Sequence, residues 1–430
     1  MAVTETIHHS FGSRLGGSFR GVLLGAALFV VSFPVLFLNE GRAVRRARAL
    51  DEGAGAVVSV DAAAALPENE GRLVHFAGAA STPAILRDGV FGVETNAIAL
   101  RRTVETFQWE ETETRSEKKN VGGSSDVTIV YDYRKGWSEE PVDSSEFKEP
   151  AGHENPTFWP VEAEESYAEP LFAGAFRLPD DAARHLAGAG VTVRVPVDAP
   201  LPAGAPRGLF RVPQGLYWSA ERAAAPAQPA PAQASAAQSA TPAAETNAAP
   251  VAAAAPAAEP APLPQPPAVP AIGDQRISLS VTPLGNVSVV GRQGGSAFEP
   301  VVEPYVASNG ESILLLSNGR RTAEEMFASA KQANRVLTWI LRAIGLFLMY
   351  CGLRGVLGPL STLADVLPFL GRIVSFGTGL VAGVVSLALS FGTIGLAWLF
   401  YRPLVGIPLL VAAVALLVWL ARRPAKTPAA

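Results

Sequence analysis

Apolar and polar positions fall in blocks along this chain before they alternate residue by residue. GVLLGAALFVVSFPVLFL (Gly21 to Leu38) carries no charge. With Phe19 included it reaches the roughly 20 residues that a bilayer-spanning helix requires. A secretory signal is the rival reading, but its apolar core is usually about 7–15 residues and a small-residue cleavage site follows it. Here Asn39, Glu40, Gly41 and Arg42 follow instead, and then Arg45, Arg46 and Arg48. The pattern predicts an uncleaved anchor over 19–38, preceded by a flexible tail, 1–18, that holds His8 and His9. Pro34 is tolerated in lipid and predicts at most a kink. Gly41 suits a helix C-terminal cap, and the arginines after it suit contact with headgroups.

From about residue 43 to 335 the chain is polar and its period is that of strands. In DVTIVYDYRKGW, Val127, Ile129, Tyr131 and Tyr133 share one face, and Thr128, Asp132 and Arg134 take the other, as in a half-buried strand. AIALRRTVETFQWEE (Ala97 to Glu111) comes before it, with the glycine-bearing NVGGSSD between the two. This predicts a hairpin with a longish loop. Further strands are predicted at 71–78, 191–197, 208–218, 276–283 and 312–319. Helix signals are fewer: DDAARHLAG (180–188), and TAEEMFASAKQANRV (322–336), where Thr322 and Glu325 have capping-box spacing. The fold class expected of this region is a β-rich α+β extramembrane domain in two parts, 39–222 and 273–335. Residues 223–272 separate the parts and are almost entirely Ala, Pro, Gln, Ser and Thr. Without aromatic residues such a segment buries no core to offset chain entropy. It reads as a disordered Ala/Pro-rich spacer, with polyproline-type binding the lesser alternative.

The C-terminal part returns to apolar blocks. Spans are predicted at 336–357, at 373–400 and, after a YRP break (401–403), at 404–421, with a basic tail over 422–430. The second of these is long for a single crossing and predicts tilt, and its Gly and Ser content permits close helix contact. The chain is thus expected to be an integral membrane protein with four spans, one before the domain and three after it. Both termini then share a side and the domain occupies the other. Arg42, Arg45, Arg46 and Arg48 favour a cytoplasmic domain, whereas Arg354, Arg372 and the basic tail favour the reverse, so the charge rule does not settle the orientation.

Composition narrows the chemistry. The 430 residues are 49% hydrophobic and 17% charged, with a net charge of -4, so no basic field for nucleic acid is present. The single cysteine, Cys351, excludes an intrachain disulfide and any CxxC zinc site, and it reads as inert packing in a span. The tetrapeptide NEGR recurs at 69–72 (Asn69, Glu70, Gly71, Arg72) in a different context, after Pro67 and before a strand carrying His75. It is therefore not an internal repeat. Glu68, Glu70 and His75 could act as acid and base, but a solvated turn with a strand histidine is much the better reading, because the spacing shows no convergence. His153, in GHENP, reads as loop architecture. No HExxH, GxSxG, Walker or dinucleotide motif occurs, so no metal and no cofactor is expected. A transport path needs polar groups at mid-membrane, and residues 373–400 and 404–420 are expected to carry none. Arg342, Arg354, Asp365, Arg372 and Arg402 lie near span ends, where headgroup anchoring suits them.

The chain also resembles a known family, that of transmembrane protein 43, or LUMA, almost end to end. The motifs that carry the likeness are LNEGRA (38–43), ENEGRLVH (68–75), LRRTVETFQWEET (100–112) with Trp109, GHENP (Gly152, His153, Glu154, Asn155, Pro156), GLYWS (215–219), the TAEE helix, and WLFYRPL (398–404) with Trp398, Tyr401, Arg402 and Pro403. The Ala/Pro insertion departs from the pattern. High Ala, Arg and Pro suggests a bacterial-type, high-GC member. The resemblance implies four spans, a domain on the lumenal side, self-association and a scaffold role. For this chain that means a bacterial inner membrane with a periplasmic domain, the bilayer and other copies of itself as partners, and further membrane-protein partners unknown. The function expected is non-enzymatic organisation of membrane protein complexes. The alternatives are a lipid- or ligand-handling enzyme with its site in the domain, for which His75, His153 and acidic residues would have to converge, and a channel or transporter component, which would need a continuous polar seam.

Overall fold

The computed structural model describes residues 3–189, 193–194, 201, 204–212, 215–224, 265–296, 299–408, 410, 411 and 415. The helices are α1 (Phe11–Ala56), α2 (Ala182–Ala189), α3 (Ala220–Ala224), α4 (Ala323–Val356), α5 (Gly358–Ala364) and α6 (Pro368–Tyr401), and residues 403–408 are helical as well. Three of them, α1, α4 and α6, are long and apolar enough to cross a membrane. The fourth expected span and the Ala/Pro insertion fall largely outside the described residues.

α1 differs from its expected form at both ends. The predicted tail forms a strand, Val3–His9, and Ser10 then caps the helix, its hydroxyl accepting a hydrogen bond from the Ser13 N–H at 3.2 Å. At the other end the helix does not stop at Gly41 but runs through Pro34 and Gly41 to Ala56. Continuation is favoured because the turns after Gly41 still have an apolar face to bury. Ala49 and Leu50 pack with Leu73, Val290, Ile313, Met326 and Phe327, and each large side chain so buried contributes about 1.5–3 kcal/mol. Gly41 is there for close approach: a Cβ on it would lie 2.6 Å from the Tyr401 ring.

α4 joins two elements expected separately, the TAEE helix and the second span. Its capping box forms as predicted, with the Glu325 N–H donating to Thr322 Oγ1 at 3.2 Å and the Thr322 N–H to Glu325 Oε2 at 3.0 Å. α4 runs antiparallel to α1, so that Asn39 meets Thr338 and Gly25 meets Gly352. At that second point a Cβ on Gly25 would sit 2.7 Å from the Gly352 carbonyl oxygen, the small-residue contact of membrane helices. α5 turns the chain and α6 returns, bringing Tyr401 back to Gly41.

The domain holds two principal sheets. In one, a strand of 21 residues (Ala99–Lys119) pairs along its outer length with Ser125–Ser138 to form a long ribbon. Its inner part pairs with Gln275–Thr282 and Glu164–Tyr167. The predicted alternation holds, since Val127 and Ile129 are buried while Asp132 and Arg134 are exposed. The stretch 208–218, expected as one strand, is a hairpin of Leu209–Val212 and Gly215–Trp218. In the other sheet the pairings close on themselves. Asn286–Gly295 pairs with Leu73–Ser81, then in turn come Phe172–Ala173, Phe176–Arg177 and Pro300–Glu303, which returns to Asn286–Gly295. This small barrel is filled by Val74, Phe76, Phe176, Val287, Val289 and Val302, with Phe76 stacked on Phe176 at 4.3 Å.

The ribbon extends far from the domain. At about 3.3 Å per residue the 21-residue strand spans roughly 70 Å, matching α1 at about 1.5 Å per residue over 46 residues. The tip reaches the N-terminal end of α1, where Val3–His9 pairs with Ser125–Tyr131 and the Gly122 N–H donates to the Val366 carbonyl at 2.9 Å.

Candidate functional site: the interhelical NEGR cluster

The first NEGR leaves the apolar segment of α1 with three polar side chains that cannot remain unpaired between helices, since a buried polar group without a partner costs free energy. Each finds one on α4 or α6. Glu40, 1% exposed, accepts from Arg342 Nε at 2.6 Å, Arg342 Nη2 at 2.9 Å and Trp398 Nε1 at 2.8 Å. The Arg342 guanidinium lies 4.7 Å from the Trp339 ring centroid and 5.9 Å from that of Trp398. Asn39 donates to the Thr338 carbonyl at 3.1 Å, and Arg42 donates to Asn334 Oδ1, Asn39 Oδ1 and Thr338 Oγ1 at 2.9, 3.1 and 3.2 Å. Asn334 in turn donates to the Ala43 carbonyl at 3.0 Å. Two residues expected to anchor in headgroups, Arg42 and Arg342, are thus internal clamps. The later arginines are also engaged: Arg45 lies 3.5 Å from Glu311, Arg46 donates to the Ser312 carbonyl and Arg48 to the Tyr401 carbonyl at 2.9 Å. Arg402 and Pro403 follow the end of α6, where Arg402 O accepts from Gly406 N at 2.9 Å in the turn expected for YRP.

At the far end of the helices a second charged knot forms. Asp365, 1% exposed, takes Arg14 at 2.5 Å and Lys119 at 2.8 Å, and Arg14 also donates to the Gly123 carbonyl. Asp365 is thus a tie between helix turn and ribbon tip and not a headgroup anchor. No sequence spacing links positions 14, 119 and 365, so only folding brings them together. The same holds inside the domain, where Arg102 is buried against Asp88 at 2.6 Å and Glu164 at 2.8 Å.

The second NEGR is a surface turn. Glu68, Glu70, Gly71 and Arg72 are exposed while Asn69 is buried, and a short 3-10 turn, Pro67–Asn69, leads through Gly71 at φ 75° into the strand. His75 is a satisfied core histidine, with Nε2 2.9 Å from the Arg321 carbonyl and Nδ1 3.4 Å from Ser59 Oγ. GHENP is loop architecture. Gly152 turns the chain at φ 84° and its N–H meets Glu154 at 3.0 Å. His153 stacks on Tyr133 at 3.9 Å and meets Trp109 edge-on at 4.7 Å. Asn155 stands in for a neighbouring strand, accepting from the Trp109 N–H at 2.7 Å and donating to its carbonyl at 3.0 Å. Pro156 packs against Gly273. Tyr133 donates to Glu111 at 2.7 Å, and burial, followed by that bond, pushes its hydroxyl up to about 12.

His75 lies in the barrel and His153 beside the ribbon, so the convergence that an acid–base site needs does not form. Among the described residues no group of His, Cys, Asp and Glu is arranged to hold a metal. A cleft of about 720 Å³ lies between Phe107, Trp137, Tyr217 and Arg276. In the helices Ser386, Ser390 and Thr393 are buried on one face of α6, a correction to the expectation that this span has no polar group at depth. Ser390 reaches only Met349 Sδ, at 3.5 Å. Isolated hydroxyls of this kind belong to helix packing.

Three clamped apolar helices, a small barrel and a protruding ribbon define the class: a multispan membrane protein with a large β-rich extramembrane region. The family model for transmembrane protein 43 matches residues 106–403. Mouse transmembrane protein 43 is 31% identical over 94% of this chain and 90% of its own length, and the human protein is 31% identical over 97% and 93%. A fruit-fly transmembrane protein 43 homolog is 26% identical over 93% of this chain and 94% of its own. The chain belongs to the transmembrane protein 43 family. No solved structure matches it.

Proposed function

We propose that this protein organises membrane protein assemblies, itself included, and that the ribbon is its self-association element. The observation supporting this is an open strand edge where lipid would not tolerate one. The outer strand carries Glu111, Glu113, Arg115, Glu117, Lys118 and Lys119, and its far end meets Arg14 and Asp365 beyond the apolar 19–38 segment, so between domain and tip it passes the level of that segment. Beyond Glu111 its outer edge has no strand partner among the described residues. Hydrocarbon accommodates neither polar ribbons nor unpaired sheet edges, so this edge calls for a protein neighbour. A second copy supplies one: antiparallel pairing about a two-fold axis at Ser116 sets Arg115 against Glu117 and Glu113 against Lys119, opposite charges on one face. The clamped helices act as a rigid mount for it. Transmembrane protein 43 relatives with the same helices and strands would present the same edge. We place the chain in a bacterial inner membrane with the domain periplasmic. The arginines after Leu38 that argued otherwise are engaged within the protein.

The test is disulfide trapping in intact membranes. In a C351A background, S116C sets two thiols opposite each other, at a Cα separation of about 5 Å that a disulfide spans. A cross-linked dimer with S116C but not with T128C on the inner strand supports the reading. Monomer alone from S116C, T114C and K118C, in protein that purifies folded, overturns it.

A further inference from the structure

A pocket of about 330 Å³ opens between α1, α4 and the end of α6, at the level where their apolar segments meet the domain. Its charge is unbalanced. Of its four cations, Arg342 is held by Glu40 and Lys331 is held by Asp51 at 2.6 Å. That uses both carboxylates of the lining. Arg335 and Arg402 remain, both exposed, and among the described residues neither guanidinium has a hydrogen bond or ion pair. Trp339 flanks the mouth with 67% of its surface exposed, as tryptophans do at a membrane interface. Further along α4 no charge appears between Arg342 and Arg354, and Phe347 faces outward, 64% exposed.

Two free guanidiniums over a polar floor, beside an aromatic and next to a lipid-facing helix, match a molecule with an anionic phosphate head and an apolar tail. We propose that this pocket binds the phosphate of an anionic phospholipid head group, with Arg335 and Arg402 as its ligands and Trp339 against the glycerol region. Arginine forks suit phosphate oxygens geometrically, and basic pockets between spanning helices are a recurrent headgroup site. The Glu40–Arg342 pair forms the floor and fixes the spacing of α1 and α4 beneath the ligand. The inference is independent of the ribbon, which lies on a different element.

The experiment is native mass spectrometry of the full chain in mild detergent, titrated with phosphatidylglycerol, with phosphatidylcholine of the same acyl chains, and with inorganic phosphate. The expected result is one retained phosphatidylglycerol per chain, with weaker retention of phosphatidylcholine. The R335Q/R402Q variant should weaken retention by about 30-fold, from about 1 kcal/mol per interfacial cation, while R20Q/R372Q at the opposite ends of the helices leaves it unchanged. Both pairs are exposed, and an unaltered unfolding midpoint confirms that each variant folds. Equal losses in the two variants would show general interfacial attraction and overturn the site. So would a wild-type chain that retains no lipid. Inorganic phosphate bound as tightly as phosphatidylglycerol would make this a free-anion site and overturn the lipid assignment.

Discussion

Substituting Glu40 by alanine tests whether the NEGR cluster holds the helices together. The carboxylate is 1% exposed and accepts three hydrogen bonds, two from Arg342 and one from Trp398. Its removal leaves the Arg342 guanidinium, whose side chain is 17% exposed, without a counter-charge, and leaves the Trp398 N–H without an acceptor. Breaking a buried pair from one side costs about 3–5 kcal/mol. The unpaired indole falls within that range and does not add to it, because neighbouring losses are not additive. Replacing both partners by apolar groups is often neutral, so E40A/R342M should recover most of the loss. The assay is equilibrium unfolding of the full chain in mild detergent, titrated with SDS and followed by tryptophan fluorescence. E40A within about 0.5 kcal/mol of wild type, or a double variant as unstable as the single one, would refute the clamp.

Other outcomes follow from the same geometry. Gly25→Val should destabilise the α1–α4 contact by about 1–3 kcal/mol or more, as overpacking does, because the new side chain meets Gly352 and Gly355 backbone; Gly16→Ala, with nothing within 4 Å, is the control in the same unfolding assay. Thr322→Ala removes a capping box and should cost about 1 kcal/mol, seen as faster amide exchange over residues 324–327, with T322S restoring protection. For Tyr133, whose hydroxyl sits at about 12 against an ordinary 10.0, the folded chain keeps a proton the unfolded chain loses between those values. Stability therefore declines as pH rises from about 10 to about 12. Tyr217, Tyr131 and Tyr167 are also raised, chiefly by burial, so absorbance titration at alkaline pH should show several late tyrosines, and Y133F should remove the share that titrates near 12 together with that part of the decline; an unchanged profile in Y133F contradicts the assignment.

Local patterns in the sequence determined much of this protein. Three of the four apolar blocks are described helices long and apolar enough to cross a membrane, because length and hydropathy are properties of a segment on its own. The alternation through Val127 and Ile129 placed the ribbon strand with the correct face inward, because the two-residue period is local too. The capping box at Thr322 and the turn at Gly71 were equally legible, whereas the carbonyl of Arg321 that meets His75 was not. Tertiary structure alone decided what the polar residues beside the spans do. Glu40 and Arg342 are 302 positions apart, as are no residues that spacing would link, and Arg14, Lys119 and Asp365 meet only because the whole strand Ala99–Lys119 is about as long as α1. Lipid was the nearest partner that sequence offered these charges, whereas folding supplied closer ones. The end of α1 was misplaced for the same reason. A glycine and four arginines look like a helix exit until Tyr401 arrives over Gly41 and the following turns find a core to bury against. Such pairings depend on which distant segments pack together, and the physical cause is that a buried charge takes its counter-charge from whatever neighbour the packed helices present.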